Sequence, residues 1–130
     1  SRPRRPRAAA PAAEPHATPA LIDHTTLDEL RSAVGPGRLP RLIGVFAEET
    51  RARLARLAAT SDLRAIEEEA HGLKSAAGTF GAAALREAAA ALEAACVAGE
   101  ERRALTLRDS LPALVERSLA AYPVRLSGGN

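Results

Sequence analysis

The 130-residue chain contains no methionine and no tryptophan, one tyrosine (Tyr122), two phenylalanines and a single cysteine. Each scarcity excludes something. One cysteine, Cys96, cannot form an intramolecular disulfide; set in an alanine-rich run, it reads as a small buried hydrophobe in a reducing compartment. So few aromatics argue against a sheet-based core. There is no run of 18 apolar residues to cross a membrane, and no apolar core of a signal peptide at the start. Without an initiator methionine the chain is expected to be a piece of something longer or a processed product. No G-x-x-x-x-G-K-[ST] loop is present, which argues against ATP binding, and no cluster of His, Cys and carboxylates has metal-ligand spacing. A Ser–His–Asp arrangement is disfavoured because no nucleophile-elbow signal appears.

What the chain has in abundance is alanine. Apolar residues make up 46% of it, enough for one real core, and alanine is the strongest helix former. The net charge of +2 misleads. Residues 1–19 hold Arg2, Arg4, Arg5 and Arg7 against Glu14, leaving 14 basic and 15 acidic residues in the remainder. The folded part is therefore close to neutral, which argues against a nucleic-acid-binding surface.

Residues 1–19 also carry five prolines and read as a disordered Pro/Arg/Ala-rich linker, with His16 inert inside it. A first short helix is expected in "IDHTTLDELRSAVGPG", opened by a capping box of Thr26 and Glu29, stapled by Ile22 and stopped by Gly35 and Pro36. A long amphipathic helix follows, with Pro40 in its first turn and Leu39, Leu42, Ile43, Phe46, Leu54 and Leu57 on one side. In the next, capped by Thr60 or Ser61, the residues Leu63, Ile66, Ala70, Leu73, Ala77 and Phe80 recur at bundle spacing. Leu85, Ala88, Ala89, Leu92, Ala95 and Cys96 mark a further buried face, ended by Gly99. In the last helical stretch Pro112 either kinks one helix or begins a second. Short connections between long helices predict an all-α, antiparallel up-and-down four-helix bundle over residues 20–123, with a short extra N-terminal helix and a frayed tail over 124–130.

Within this pattern "AHGLKSAAGTFGA", residues 70–82, stands out. At about 100° per residue, His71 points roughly 130° from the centre of the apolar seam, into water or toward a partner. Histidine as a residue type titrates near pH 6.5, so a water-facing imidazole offers a nucleophilic lone pair near neutrality. Lys74 lies one turn on, able to hold an incoming anionic group. Ser75, Ala76, Ala77 and Gly78 keep the surface beside the ring low. Gly72 and Gly78 each cost about 1 kcal/mol relative to alanine inside a helix, a cost that close approach of another backbone would explain. A surface histidine beside a surface lysine, with no function, is the plain alternative.

At these residues the sequence resembles the histidine-containing phosphotransfer (HPt) domain. The family motif, approximately A-H-x-L-K-G-x-x-x-x-x-G-A, is matched by Ala70, His71, Leu73, Lys74, Gly81 and Ala82. Leu85, Leu92 and Glu93 fall where the family's next helix has them, and the resemblance spans residues 21 to about 120. Two departures stand out: Ser75 replaces the usual glycine after the lysine, and Gly72 directly after the histidine is expected to loosen the helix.

The resemblance implies a cytoplasmic module of a bacterial phosphorelay, one whose parent can be a membrane-anchored hybrid histidine kinase. His71 would be the phosphoacceptor, taking a phosphoryl group from a receiver-domain aspartate and passing it to another. Lys74 would stabilise the phosphate. Arg64, Glu67, Ser75 and Gly78 would form the docking rim, with Leu73, Phe80 and Gly81 as structural support. The partners implied are response-regulator receiver domains, with no nucleic acid and no direct membrane contact, and the module is expected to be monomeric. It would hold no cofactor or metal, since Mg²⁺ belongs to the receiver. It would thus be a phosphohistidine carrier rather than a complete enzyme. The phosphoacceptor domain of a chemotaxis-type kinase and a non-catalytic helical adaptor remain alternatives. A kinase dimerisation domain is disfavoured because Gly72 follows the histidine and no proline follows before Pro112.

Overall fold

Glycine and proline divide the alanine-rich amphipathic runs into segments, and each segment becomes one helix. The computed structural model describes residues 19–123; among them are five helices and no strand. These are α1 (His24–Val34), α2 (Leu39–Ala58), α3 (Leu63–Thr79), α4 (Ala83–Val97) and α5 (Glu101–Ala120). The linker expected over 1–19, including His16, lies outside the described residues except for Pro19, as does the tail expected over 124–130.

Two helix starts differ from expectation. Asp23, not Thr26, caps α1: its carboxylate accepts from the backbone N–H groups of Thr25 and Thr26 and from the Thr26 hydroxyl at 2.9 Å. An ionised carboxylate with three donors in reach outcompetes a neutral hydroxyl for the cap, and these bonds hold the Asp23 carboxyl below its ordinary value. The Thr26–Glu29 capping box therefore does not form. Similarly Asp62 caps α3 by accepting from Ala65 N–H, while Thr60 Oγ1 accepts from Asp62 N–H and shapes the turn before it. Pro40 sits in the first turn of α2, where its missing N–H costs nothing. Pro112 lies inside a single helix, so α5 is not split.

The apolar stripes meet largely as their spacing predicts, although Leu42, Leu54 and Ala88 are only half-buried. Leu39, Ile43, Phe46 and Leu57 of α2 are buried with Ile66, Ala70, Leu73 and Ala77 of α3. Leu85, Ala89, Leu92, Ala95 and Cys96 of α4 join them, as do Ala104, Leu111, Val115 and Leu119 of α5. Helix α3 packs on α2 and α4, and α5 packs on α4 and α2, so these four helices contact one another in a closed circuit; α1 touches α2.

The α3–α4 turn is held from both ends of the domain. Gly81 adopts φ +70°, a left-handed conformation that a side chain would strain, and a Cβ there would stand 3.0 Å from the Asp23 carbonyl oxygen. Asp23 N–H donates to the Gly81 carbonyl at 2.7 Å. From the other end, the buried Tyr122 donates its hydroxyl to the Phe80 carbonyl at 2.7 Å. Phe80 stacks on Phe46 with centroids 4.7 Å apart, and Tyr122 meets Phe46 edge-on. The C-terminal end of α3 is thereby fixed in position.

Candidate functional site

The α3 seam decides where His71 points. Ala70 and Leu73 are fully buried, and His71, turned about 100° from Ala70 and away from Leu73, emerges on the outside: 63% of its side chain is accessible. The ring is nevertheless not free at both nitrogens. Nδ1 lies 2.8 Å from Oε2 of Glu93, which reaches across from α4. The other oxygen of the same carboxylate, Oε1, takes Lys74 Nζ at 2.7 Å. One glutamate thus ties together the histidine and the lysine that follows it one turn later.

The electrostatics follow from that geometry. Lys74 first, and His71 second, hold the Glu93 carboxyl below its ordinary value of 4.5, so it is an anion near neutrality. An anionic carboxylate accepts and cannot donate, so Nδ1 of a neutral ring must carry the proton. The Nε2 lone pair is then the nucleophilic position. Glu93 belongs to the site on equal terms with Lys74, although the sequence pattern placed it only through the family resemblance. The available signal was compositional: Glu93 is the one polar residue in "AAAALEAACVA", residues 88–98.

The remaining candidates are distributed along the same helix. Arg64 and Ser75 are exposed, Glu67 and Gly78 half-buried, and all lie on α3 with His71. Leu73 is buried, and Phe80 and Gly81 belong to the pinned turn. The two helical glycines are each accounted for by an arginine side chain rather than by a neighbouring backbone. A Cβ at Gly72 would lie 2.5 Å from Arg53 Nη1, and one at Gly78 would lie 3.3 Å from both Cδ and Nε of Arg86. At Gly72 the helix is unbroken; the glycine seats Arg53, which reaches Glu69 at 3.0 Å alongside Arg56 at 2.7 Å. Among the described residues no group of three or more His, Cys, Asp or Glu side chains converges as a metal site.

The described residues are helical and carry a solvent-facing histidine on the outside of a helix, with a carboxylate behind Nδ1 and a lysine in the next turn. The Hpt domain family model matches residues 41–121, and the chain belongs to that family, whose members serve phosphotransfer in phosphorelay signalling with receiver domains. Among solved structures the chain is similar to the crystal structure of histidine-containing phosphotransfer protein B (HptB) from Pseudomonas aeruginosa PAO1. The identity is 24% and the TM-score 0.73, over 77% of this chain and 89% of that one. This likeness establishes the helical fold. Among curated proteins no relative matches. No helix of the described residues is long and apolar enough to cross a membrane.

Proposed function

We propose that the chain is a phosphotransfer intermediate in which His71 Nε2 accepts a phosphoryl group from a receiver-domain aspartyl phosphate and passes it to the aspartate of a second receiver. In this reading the Nε2 lone pair attacks phosphorus, the phosphorus–oxygen bond to the aspartate breaks, and the aspartate leaves as a carboxylate. Nδ1 keeps its proton throughout, and Glu93 stabilises the positive charge that the ring acquires. No general base is needed, because the nucleophile enters neutral. Phosphoryl transfer rests on alignment and charge stabilisation, and a rigid helix presenting one lone pair supplies the first. Lys74 supplies the second once its ammonium turns from Glu93 to the phosphoryl oxygens. The Mg²⁺ such a reaction uses would be the receiver's, and the domain would work as a monomer.

The supporting observation is the 2.8 Å contact between Nδ1 and Glu93, which directs the reactive lone pair outward. The arrangement supporting this half-site we read as an antiparallel up-and-down four-helix bundle of α2 to α5 with α1 in front. The closed circuit of helix contacts and the connections of three or four residues favour that reading. Incubation with a phosphorylated receiver and Mg²⁺ tests the function. The expected result is an acid-labile, base-stable label on the wild type and none on His71→Gln, with ATP alone labelling neither. Label persisting on His71→Gln would refute the assignment.

A further inference from the structure

Arg86 breaks two local rules at once. It sits in the first turn of α4, the end of a helix where a cation is disfavoured by the dipole. Its neighbours three and four positions away are Ala82, Ala83, Ala89 and Ala90, so its own helix offers no carboxylate at the usual pairing spacing. It forms no ion pair among the described residues, whereas Arg51, Arg53 and Arg56 each hold a glutamate from another helix. What it does have is Gly78. The Arg86 stem lies across that glycine, with Cδ and Nε in the space that a Cβ would crowd. Two locally unfavourable choices that meet in one contact point to a use outside the chain.

The location suggests the use. Gly78 is seven residues from His71, two helical turns along the same face, or about 10 Å. A specific protein interface covers about 800 Å² per partner, a disc of about 16 Å radius. A protein centred on His71 Nε2 therefore covers Gly78 and the guanidinium lying over it. Arg86 also edges a cavity of ≈ 420 Å³ between α1 and the α3–α4 turn, where Thr26 and Glu87 contribute to the lining. The two acids that line the same cavity do not neutralise it: the Asp23 carboxylate is occupied by Thr25 and Thr26, and Glu87 makes no ion pair with it.

We propose that Arg86 is a docking residue that pairs with a carboxylate on the receiver surface. The proposal rests on His71 being the phosphoacceptor. The partner's chemistry follows from charge complementarity, because an unpaired guanidinium held at the edge of a docking surface is matched best by a carboxylate, which it can bind with two parallel hydrogen bonds. Gly78 holds the guanidinium stem against the helix, so less rotamer freedom is lost when the pair forms.

The test uses isolated receiver domains from the organism's own response regulators, each loaded with phosphate from acetyl phosphate. For the receiver that transfers fastest, Arg86→Glu raises KM at least tenfold while kcat changes much less, and Arg86→Lys recovers most of the loss. Gly78→Ala, which displaces the arginine, raises KM in the same direction. A KM for Arg86→Glu within twofold of wild type would overturn the proposal. Labelling of wild type and His71→Gln with phosphoramidate, which needs no docking, separates the two failures. If His71→Gln labels as well as wild type, the phosphoacceptor reading fails; if only wild type labels and KM is unmoved, the docking role of Arg86 alone fails.

Discussion

His71 on α3 and Glu93 on α4 lie 22 positions apart in the chain and meet with Nδ1 and Oε2 at 2.8 Å, while the second oxygen of that carboxylate holds Lys74 at 2.7 Å. The carboxylate therefore does two things. It fixes which ring nitrogen carries the proton, and it keeps the lysine beside the ring without placing the lysine on it.

Removing that carboxylate should affect chemistry far more than folding. Glu93→Ala frees Nδ1, lets both tautomers populate and releases Lys74. Carboxylates that hydrogen-bond the second nitrogen of a metal-bound histidine matter by about ten- to a hundredfold, and a fall of that order in the rate of His71 labelling is expected by the same orienting effect. Lys74 is a third accessible and can return to water, so the stability cost stays under about 1 kcal/mol. Nitrogen NMR of the imidazole checks the cause directly: wild type shows one tautomer protonated at Nδ1, and Glu93→Ala shows a mixture.

The Arg53–Gly72 contact makes an opposite prediction for stability. Gly72→Ala places a methyl group 2.5 Å from Arg53 Nη1, but that atom ends a flexible side chain, and Arg56 keeps Glu69 satisfied when Arg53 swings away. The helix gains about 1 kcal/mol from replacing glycine. The lost pair is worth less, about 0.2–1 kcal/mol. Gly72→Ala should therefore raise Tm slightly, and Arg53→Ala should cost less in that background than in wild type. Glu69 adds a pH signature. Arg56 first, then Arg53, hold its carboxyl below the ordinary 4.5. Its contribution is present above that pH and is lost as pH falls through the depressed value, so the stability gap between wild type and Glu69→Gln narrows in acid.

Tyr122 is the pin on the α3–α4 turn. Tyr122→Phe keeps the edge-on packing against Phe46 but deletes the only donor that its ring brings to the Phe80 carbonyl. A cost of about 1–2 kcal/mol is expected in denaturant titration. Burial pushes the phenol well above its ordinary value of 10. The folded state therefore needs the neutral phenol: its contribution is intact below pH 10 and is lost as pH rises above it. Tyr122→Phe should lack this alkaline loss.

The contrast between seams and contacts explains what could be read from sequence. The positions Leu63, Ile66, Ala70, Leu73, Ala77 and Phe80 announce their helix because helical periodicity is a property of one segment, and burial follows that spacing, with Leu63 and Phe80 at the ends only partly covered. The same arithmetic put His71 outside. Caps were harder, since "DHTT" offers three residues of capping type in four positions and only the geometry shows that Asp23 gathers all the donors. Glu93 with His71, Arg53 with Gly72 and Arg86 with Gly78 were out of reach for a different reason. Each joins two helices, and periodicity along one helix carries no information about the register of its neighbour.

Pro112 is the last place where sequence left two outcomes and the structure has one. It stands at the twelfth position of the twenty-residue α5, exposed, with the helix continuing past it to Ala120. A proline there deletes one backbone hydrogen bond and crowds the carbonyl four residues back, at Arg108. The flanking core residues Leu111 and Val115 are buried, and their burial holds the helix together across the defect. The proline ring itself contributes little to that core, so replacing it removes a cost and few contacts. Interior proline is disfavoured by about 3 kcal/mol relative to alanine, part of which the surroundings have already relaxed. Pro112→Ala should thus stabilise the domain by about 1–2 kcal/mol, read as a higher Tm with unchanged labelling of His71. A loss of stability would mean that the proline's fixed backbone angle contributes more to α5 than its missing hydrogen bond costs.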